Sequence, residues 1–592
     1  MEQAIGKGLE SMQLRFPMIK KTLQLTLFLS LTVWAADIVA DSVAAERPQR
    51  EPNQQTLNQL FENFWRSAIR RNDISEEHRQ KQRRRYSTYL NELSEIDRRG
   101  LVERDRLNYD SFKYELTLGL EALQFNDHLI PDIRPPNRRF ALSLWESGDD
   151  FLQFRTVKDY ETFLNGMNGI GAWVDTAIAN MRKGIAVGIV DSRYAMERTL
   201  RQVELMIVSD VKKSFFYQPI LHMPASIDEA EKVRLTNAYT KAIQQTIVPT
   251  YKKLHSFLKE EYLPKSRASV GISALPGGSA WYAYLVKAAT TTNLTADEIF
   301  QIGMDEIKRV KKEMEELREK TGFKGKGGFE TYLEQNAPKY SNKEDLIKAY
   351  EGLRTKVTPR VRQLFSRLPK ASYEIRAVEG LGEGGAQAVY QGAAPDGSRP
   401  GVFYLDTFAI RSHPVRLSVP VFLHEAIPGH HLQKSLQLEQ ADLPAFRRYG
   451  SYTAFMEGWA TYAESLGQDM ELYNDPFQRL IYLRSELSKA VDLVLDVGIH
   501  HKGWSIQRAF GFATETTGQL TLINVDRYLG RPGRSLAYKI GQLKISAIRS
   551  KTEKALGSKF DIRAFHDELL KDGPLPLDLL EGKMDAWIAR EK

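Results

Sequence analysis

The sequence predicts a mostly α-helical protein with one small β-sheet set beside a histidine-bearing helix. Three observations carry that prediction. Apolar residues recur at i, i+3, i+4 and i+7 through much of residues 51–265, the spacing that gives a helix one apolar face. Near Ala371 the texture changes to short alternating and Gly-rich runs, the pattern of strands and turns. Past Asp406 the helical texture returns and lasts to the C-terminus.

The chain of 592 residues opens with an export signature. Lys20 and Lys21 precede an uncharged run at 22–36, TLQLTLFLSLTVWAA, and small residues follow in DSVAAERPQ. A basic start, an apolar stretch and a small-residue site predict a cleavable signal peptide over residues 1–45. Val43-Ala44-Ala45 fits the cleavage rule, with Val33-Trp34-Ala35 as the alternative, and Met18 suits a second start site. The run falls short of the ~20 apolar residues that span a bilayer. The expected mature protein is therefore periplasmic or secreted, with no stable membrane insertion.

Residues 46–370 read as an N-terminal helical region. LNQLFENFWRSAIRR, RDRLNYDSFKYELTLGLEAL and residues 190–211 all carry helical spacing. The basic run RQKQRRR at 79–85 lies among acids, so it reads as a solvated helix face, not a polyanion site. GISALPGGSAWYAY at 271–284 is a Gly/Pro loop leading into aromatics. Thr295 caps the next helix, with Asp297 and Glu298 in its first turn. KGKGG at 324–328 matches neither a phosphate loop nor a dinucleotide fingerprint and reads as a connector. Residues 371–592 read as the catalytic region. YEIRAVE, AVYQG and GVFYLD are its strand-like runs, the last two joined through a Pro-Asp-Gly turn, and GRPG at 530–533 is the main late break.

Composition excludes several classes. The chain is 42% hydrophobic and 27% charged, which is ordinary for a globular protein. With no cysteine there are no disulfides, Cys-ligated zinc sites, iron–sulfur clusters, thiol nucleophiles or lipid-modified cysteine. A transition metal would need His, Asp or Glu. The net charge of +8, from 83 basic and 75 acidic residues, is too mild to argue for nucleic acid.

The chemistry concentrates in one stretch. Five of the eleven histidines, His424, His430, His431, His500 and His501, fall within 424–501. His424-Glu425 opens HEAIPGHH after the apolar VPVFL; Glu457 begins EGWATYAE; Tyr538 lies in RPGRSLAYKIG. Catalytic zinc needs three protein ligands and one open position. In the HExxH arrangement two histidines one turn apart bind the ion, and the adjacent Glu handles the proton of the zinc-activated water. Here Pro428 stands where the second histidine belongs. On a straight helix His430, at i+6, would be off-face by roughly 120°, and His431, at i+7, would lie ~10 Å up the axis. Pro428 removes a helical hydrogen bond and Gly429 frees the backbone, so a bulge or kink there could return either histidine to His424. His430 is preferred, with His431 the alternative.

HEAIPGHHLQ, EGWATYAE, GIHHKGWS, PGRSLAYKIG and FDIRAFHDELL together resemble the DUF885 family, exported bacterial proteins placed among zincin-type metallopeptidases. The likeness covers roughly residues 50–590. EGWATYAE is also similar to the third-ligand helix of glutamate-zincins such as certain aminopeptidases. That likeness implies Glu457 as third ligand, 27 residues beyond His430, a gap like that of thimet-type oligopeptidases. A shorter lengthening of the motif, H-E-x-x-x-H, occurs in the dipeptidyl peptidase III family. The resemblance further implies two helical lobes around a deep central cleft, one Zn2+, and hydrolysis of short peptides.

Glu425 is then the general base. Tyr538, His500 and His501 are the candidate oxyanion donors. Glu464, two turns beyond Glu457 on the same face, is placed to orient a ligand histidine. The strands at 388–391 and 402–406 could pair with an extended peptide, and Arg411 or Arg484 could take a terminal carboxylate. Two other readings share the sequence: a zinc-stabilised envelope protein with a degenerate motif, and a module that captures peptides without cutting them.

Overall fold

Leu57, Leu60, Phe61 and Phe64 turn one face of the helix Pro52–Arg66 inward, which is the i, i+3, i+4, i+7 spacing read from the sequence. They meet Leu93 of Glu76–Ser94, Phe112 of Glu103–Ala122, and Phe446, closing a small aromatic core. The structure is a computed structural model; it describes residues 52–67, 73–135, 154–325, 328–378, 387–518 and 525–592. The expected signal peptide lies outside the described residues. Among them, no helix is long and apolar enough to cross a membrane.

A second core gathers Tyr160, Phe163 and Met167 of Val157–Val187 with Leu235 and Tyr239 of Glu229–Ala242, and extends to Tyr262. The largest core runs from Val270 to Ile588. Ile307 and Val310 of Ala296–Lys320, and Leu346 and Leu353 of Lys343–Leu364, belong to it, beside Val494 and Phe565. A further core sets Leu129 and Ile189 against Trp281, Leu493 and Ile540, so N-terminal and C-terminal segments pack together across the change of texture near Ala371. That change marks the sheet. The helices just before it are amphipathic, and their apolar faces are covered by elements from the C-terminal half. The helix Ala296–Lys320 begins as expected, with Thr295 and Glu298 in a reciprocal capping box.

The sheet has three strands, β1 (Tyr373–Val378), β2 (Ala388–Gln391) and β3 (Gly401–Asp406), in the order β1-β3-β2. β3 is central and buried on both faces, which is why GVFYLD is an unbroken apolar run. β1 lies parallel to it and β2 antiparallel, with Tyr390 opposite Phe403 and Ile375 on its other side. Tyr373, Ile375, Tyr390, Phe403 and Leu405 face the large core, while Val378, Val402 and Tyr404 form a separate small cluster. The chain is thus mostly helical with one small sheet, the fold class the sequence predicts.

Two glycines set the spacing of the helices that matter most. Thr453–Ser465 crosses Leu536–Leu556 with Gly458 against Gly541. A Cβ on Gly458 would stand 2.5 Å from the Gly541 Cα, and one on Gly541 would stand 2.0 Å from the Ala454 carbonyl oxygen. No side chain fits between these backbones. The close crossing brings Glu457, next to Gly458, alongside Tyr538, one turn before Gly541.

Candidate metal centre

HEAIPGHH is two helices, not one bulged helix. Ser418 accepts a hydrogen bond from the Val421 N–H and caps Val419–Glu425, which Pro420 can enter because first-turn amides have no intrahelical partner. The helix stops at Glu425. Ala426 to Gly429 form the break, with the Ile427–Pro428 peptide cis, and His430–Leu438 starts afresh. Gly429 makes this possible. A Cβ there would lie 2.0 Å from the His424 carbonyl oxygen and 2.3 Å from that of Leu423. The chain can double back onto the end of the first helix only without a side chain at this position. The Trp459 indole N–H, from the Glu457 helix, donates to the Pro428 carbonyl at 2.9 Å and fastens the break.

The break resolves the choice between the two histidines. His430 Nε2 is 3.4 Å from Glu457 Oε2, and His424 Nε2 is 3.6 Å from the same oxygen. The imidazoles stand edge to face, centroids 4.8 Å apart. One ligand atom from each of His424, His430 and Glu457 lies within 4.8 Å of the others, the cluster of metal-holding geometry among the described residues. Ligands ~2.0–2.1 Å from a tetrahedral ion stand about 3.3–3.4 Å apart, and the two histidine–carboxylate separations are close to that spacing. His431 points away. Its Nδ1 accepts from the Tyr390 hydroxyl at 2.8 Å, and its ring packs on Tyr373, so it ties the helix to the sheet. Burial lowers its pKa to about 4.

Glu464 does what its spacing from Glu457 suggests. Its Oε1 accepts the His424 Nδ1–H at 2.8 Å, leaving Nε2 to face Glu457. Lys489 and the Ser485 hydroxyl hold Glu464 in turn. Burial opposes charge on His424, but Glu457, Glu464 and Glu425 outweigh it and hold its pKa up at about 10. Burial likewise opposes ionisation of Glu464, and Lys489 and His424 override it and keep the carboxyl below its usual range. The field of three carboxylates thus favours a cation at the His424 Nε2. Replacing Glu464 with Gln is expected to weaken zinc binding about 10–100-fold through loss of this orienting acceptor. Calorimetric titration of folded Glu464→Gln protein checks this; an unchanged affinity would exclude the orienting role.

Glu425 is half-buried beside His424, and its carboxylate has no hydrogen bond or ion pair with any described residue. Tyr538 stacks over His424 with centroids 6.3 Å apart, and its hydroxyl is likewise without a partner among the described residues. Burial and the nearby Glu457 raise the Tyr538 pKa, so the phenol keeps its proton and remains a donor.

Other sequence candidates are engaged elsewhere. His500, expected as an oxyanion donor, accepts the Ile272 N–H on Nδ1 and donates from Nε2 to the Tyr528 carbonyl. Both ring nitrogens are committed and the ring is buried, so His500 is a structural residue. His501 faces Asp297. Arg484 is bound by Glu330 and Glu334, and Arg411 lies exposed on the turn after β3. Sequence reading missed Trp459 as the clasp on the break, and Lys434 and Arg534, whose charges lie near the cluster. Lys434 follows His430 by one helical turn, a signal that was available; Arg534 offered none.

Fold and cluster together define a mostly helical protein built round two histidines and a carboxylate at a broken helix. The chain belongs to the DUF885 family, described as "Bacterial protein of unknown function", whose profile matches residues 57–584. No curated protein matches it. It is similar to the solved structure of "the putative lipoprotein from Colwellia psychrerythraea", with a TM-score of 0.76 and 23% identity over 91% of this chain and 99% of that one. It is also similar to "a putative lipoprotein of unknown function from Shewanella oneidensis", with a TM-score of 0.63 and 18% identity over 90% and 100% of the two chains. At these identities the likeness is one of fold.

Proposed function

We propose that the protein is a zincin-type metallopeptidase that hydrolyses short peptides in the cell envelope. The single observation that carries this reading is the meeting of His424 Nε2, His430 Nε2 and Glu457 Oε2 beside the unpartnered carboxylate of Glu425. His424, His430 and Glu457 would hold one zinc ion. When bound, that ion would polarise the scissile carbonyl and lower the pKa of water toward ~7.

The remaining chemistry belongs to the chain. Glu425 takes a proton from the attacking water and passes it to the leaving amine. The Tyr538 hydroxyl donates to the oxyanion that develops on the carbonyl oxygen. Glu464 keeps His424 in the tautomer that presents Nε2. The ligand side chains are only 8–15% exposed, so attack takes place in a recess with little bulk water. Such a recess suits a short, flexible chain better than a folded protein.

The envelope location rests on the export signature at 1–45 and on the name "putative lipoprotein" given to both similar structures. This chain holds no cysteine, so any anchoring here would not use a lipidated cysteine.

The test is turnover of a mixed peptide library by zinc-loaded protein, with and without chelator, read by mass spectrometry. Cleavage should stop on chelation and return with zinc, and Tyr538→Phe should lower kcat by roughly 10²-fold or more, as loss of an oxyanion donor does elsewhere. Cleavage indifferent to chelator, or none with zinc bound, would overturn the proposal.

A further inference from the structure

Two cations flank the cluster without full partners. Lys434 lies one turn beyond His430 on the same face of its helix, ~6 Å along the axis. Its ammonium makes no hydrogen bond or ion pair with any described residue, and rests over the Tyr390 ring, 5.7 Å from the centroid. It is half-buried. A cation shielded from water and unpaired is costly, and such groups persist where a ligand supplies the counter-charge.

Arg534 comes from a different segment. Its Nη2 stands 3.7 Å from Glu457 Oε1, while the histidines face the other oxygen, Oε2. That contact is too long for a hydrogen bond. The side chain is 41% exposed, and its guanidinium makes no hydrogen bond with any described residue. Its position is built in: the preceding residue, Gly533, donates its N–H to both carboxylate oxygens of buried Asp496, at 2.9 and 3.2 Å. A third cation, Arg527, lies over the Tyr538 ring but is already paired with Asp492.

The charges about the cluster do not otherwise cancel. Lys489 answers Glu464, and the cation site would neutralise Glu457. Glu425 is one carboxylate against two such cations. Lys434 and Arg534 are near enough to feel each other's charge, so a loaded site would carry a positive excess about the two.

We propose that Lys434 and Arg534 form a cradle that binds a substrate carboxylate flanking the scissile bond. A guanidinium fork and an ammonium match the planar, doubly accepting shape of that group. Successive Cα atoms are 3.80 Å apart, so a carboxylate one residue beyond the scissile carbonyl is within reach of a cation one turn from His430. The group has two sources, the C-terminal carboxylate of a peptide or an acidic side chain beside the cleaved bond. This inference rests on the peptidase reading and deepens it.

The experiment compares tri-alanine, tri-alanine amide and Ala-Ala-Asp amide as substrates of zinc-loaded protein. Wild-type kcat/KM for at least one of the two carboxylate-bearing peptides should exceed that for tri-alanine amide by roughly 10–100-fold, the worth of one or two charge-assisted hydrogen bonds. Preference for tri-alanine identifies the terminal carboxylate; preference for Ala-Ala-Asp amide identifies the side chain. Lys434→Met and Arg534→Gln should each reduce the preference about 10-fold. Because the preference is a ratio within one sample, partial unfolding cancels.

Equal, chelator-sensitive turnover of all three peptides would overturn the cradle and leave the peptidase standing. A second readout separates the opposite failure. Calorimetric titration of Glu425→Gln protein with the same peptides should show tighter binding of a carboxylate-bearing one, weakened in the background of Lys434→Met. That result without any turnover in wild type would retain the cradle and remove the peptidase; equal binding of all three would overturn the cradle.

Discussion

Glu425→Gln protein is expected to lose peptide hydrolysis by roughly 10²–10⁴-fold, the usual share of a positioned general base, while keeping its zinc. The reasoning is local. Glu425 is the last residue of the helix Val419–Glu425, adjacent to His424 in sequence, and half-buried. Its carboxylate is held by no described residue, so it is free to accept a proton from water at the cluster. Glutamine preserves its size and removes its basicity. Zinc analysis beside kcat separates the roles: full zinc with collapsed kcat supports the base, whereas unchanged kcat would leave only a zinc-stabilised or peptide-capturing protein.

The second large effect is one of backbone geometry. Gly429→Ala is expected to abolish zinc binding and to destabilise the fold by about 3 kcal/mol, the upper range for forcing atoms into a packed interior. The added Cβ would meet two carbonyl oxygens, of His424 and Leu423, at 2.0 and 2.3 Å. Both belong to the backbone of the helix that carries His424, so neither can move aside as a side-chain tip would. Relief requires opening the break, which swings His430 off Glu457. Gly352 supplies the control. It lies inside the helix Lys343–Leu364 with nothing within 4 Å of where a Cβ would stand, so Gly352→Ala should be neutral or stabilising by about 0.5–1 kcal/mol. Thermal melts and zinc titration of the two variants decide the matter; a Gly429→Ala protein with native zinc affinity would contradict this account of the break.

The pattern of what was legible follows from the physics. His424 and Glu425 could be read because metal chemistry restricts residue type and spacing, and Glu457 through the likeness of EGWATYAE to a third-ligand helix. Glu464 could be read because i+7 on a helix returns to the same face. The sequence preferred His430 but kept His431 as the alternative, because the choice depends on how Ala426 to Gly429 route the chain, and the helical register breaks there. His500 looked available because the sequence shows an imidazole but not what binds it; the Ile272 amide and the Tyr528 carbonyl come from distant segments. Arg534 escaped notice for the same reason, since its place is set by Gly533 on Asp496. In the fold, helices and strands followed from local periodicity. Which elements pack together did not, because an amphipathic helix such as Ala296–Lys320 does not declare which partner covers its apolar face.

The central claim, one cation held by His424, His430 and Glu457, is tested most directly by anomalous X-ray diffraction at the zinc edge from crystals grown with zinc. A single peak about 2.0–2.2 Å from the His424 Nε2, the His430 Nε2 and a Glu457 carboxylate oxygen is the expected result. No peak there, or a peak bound through His431, would contradict it.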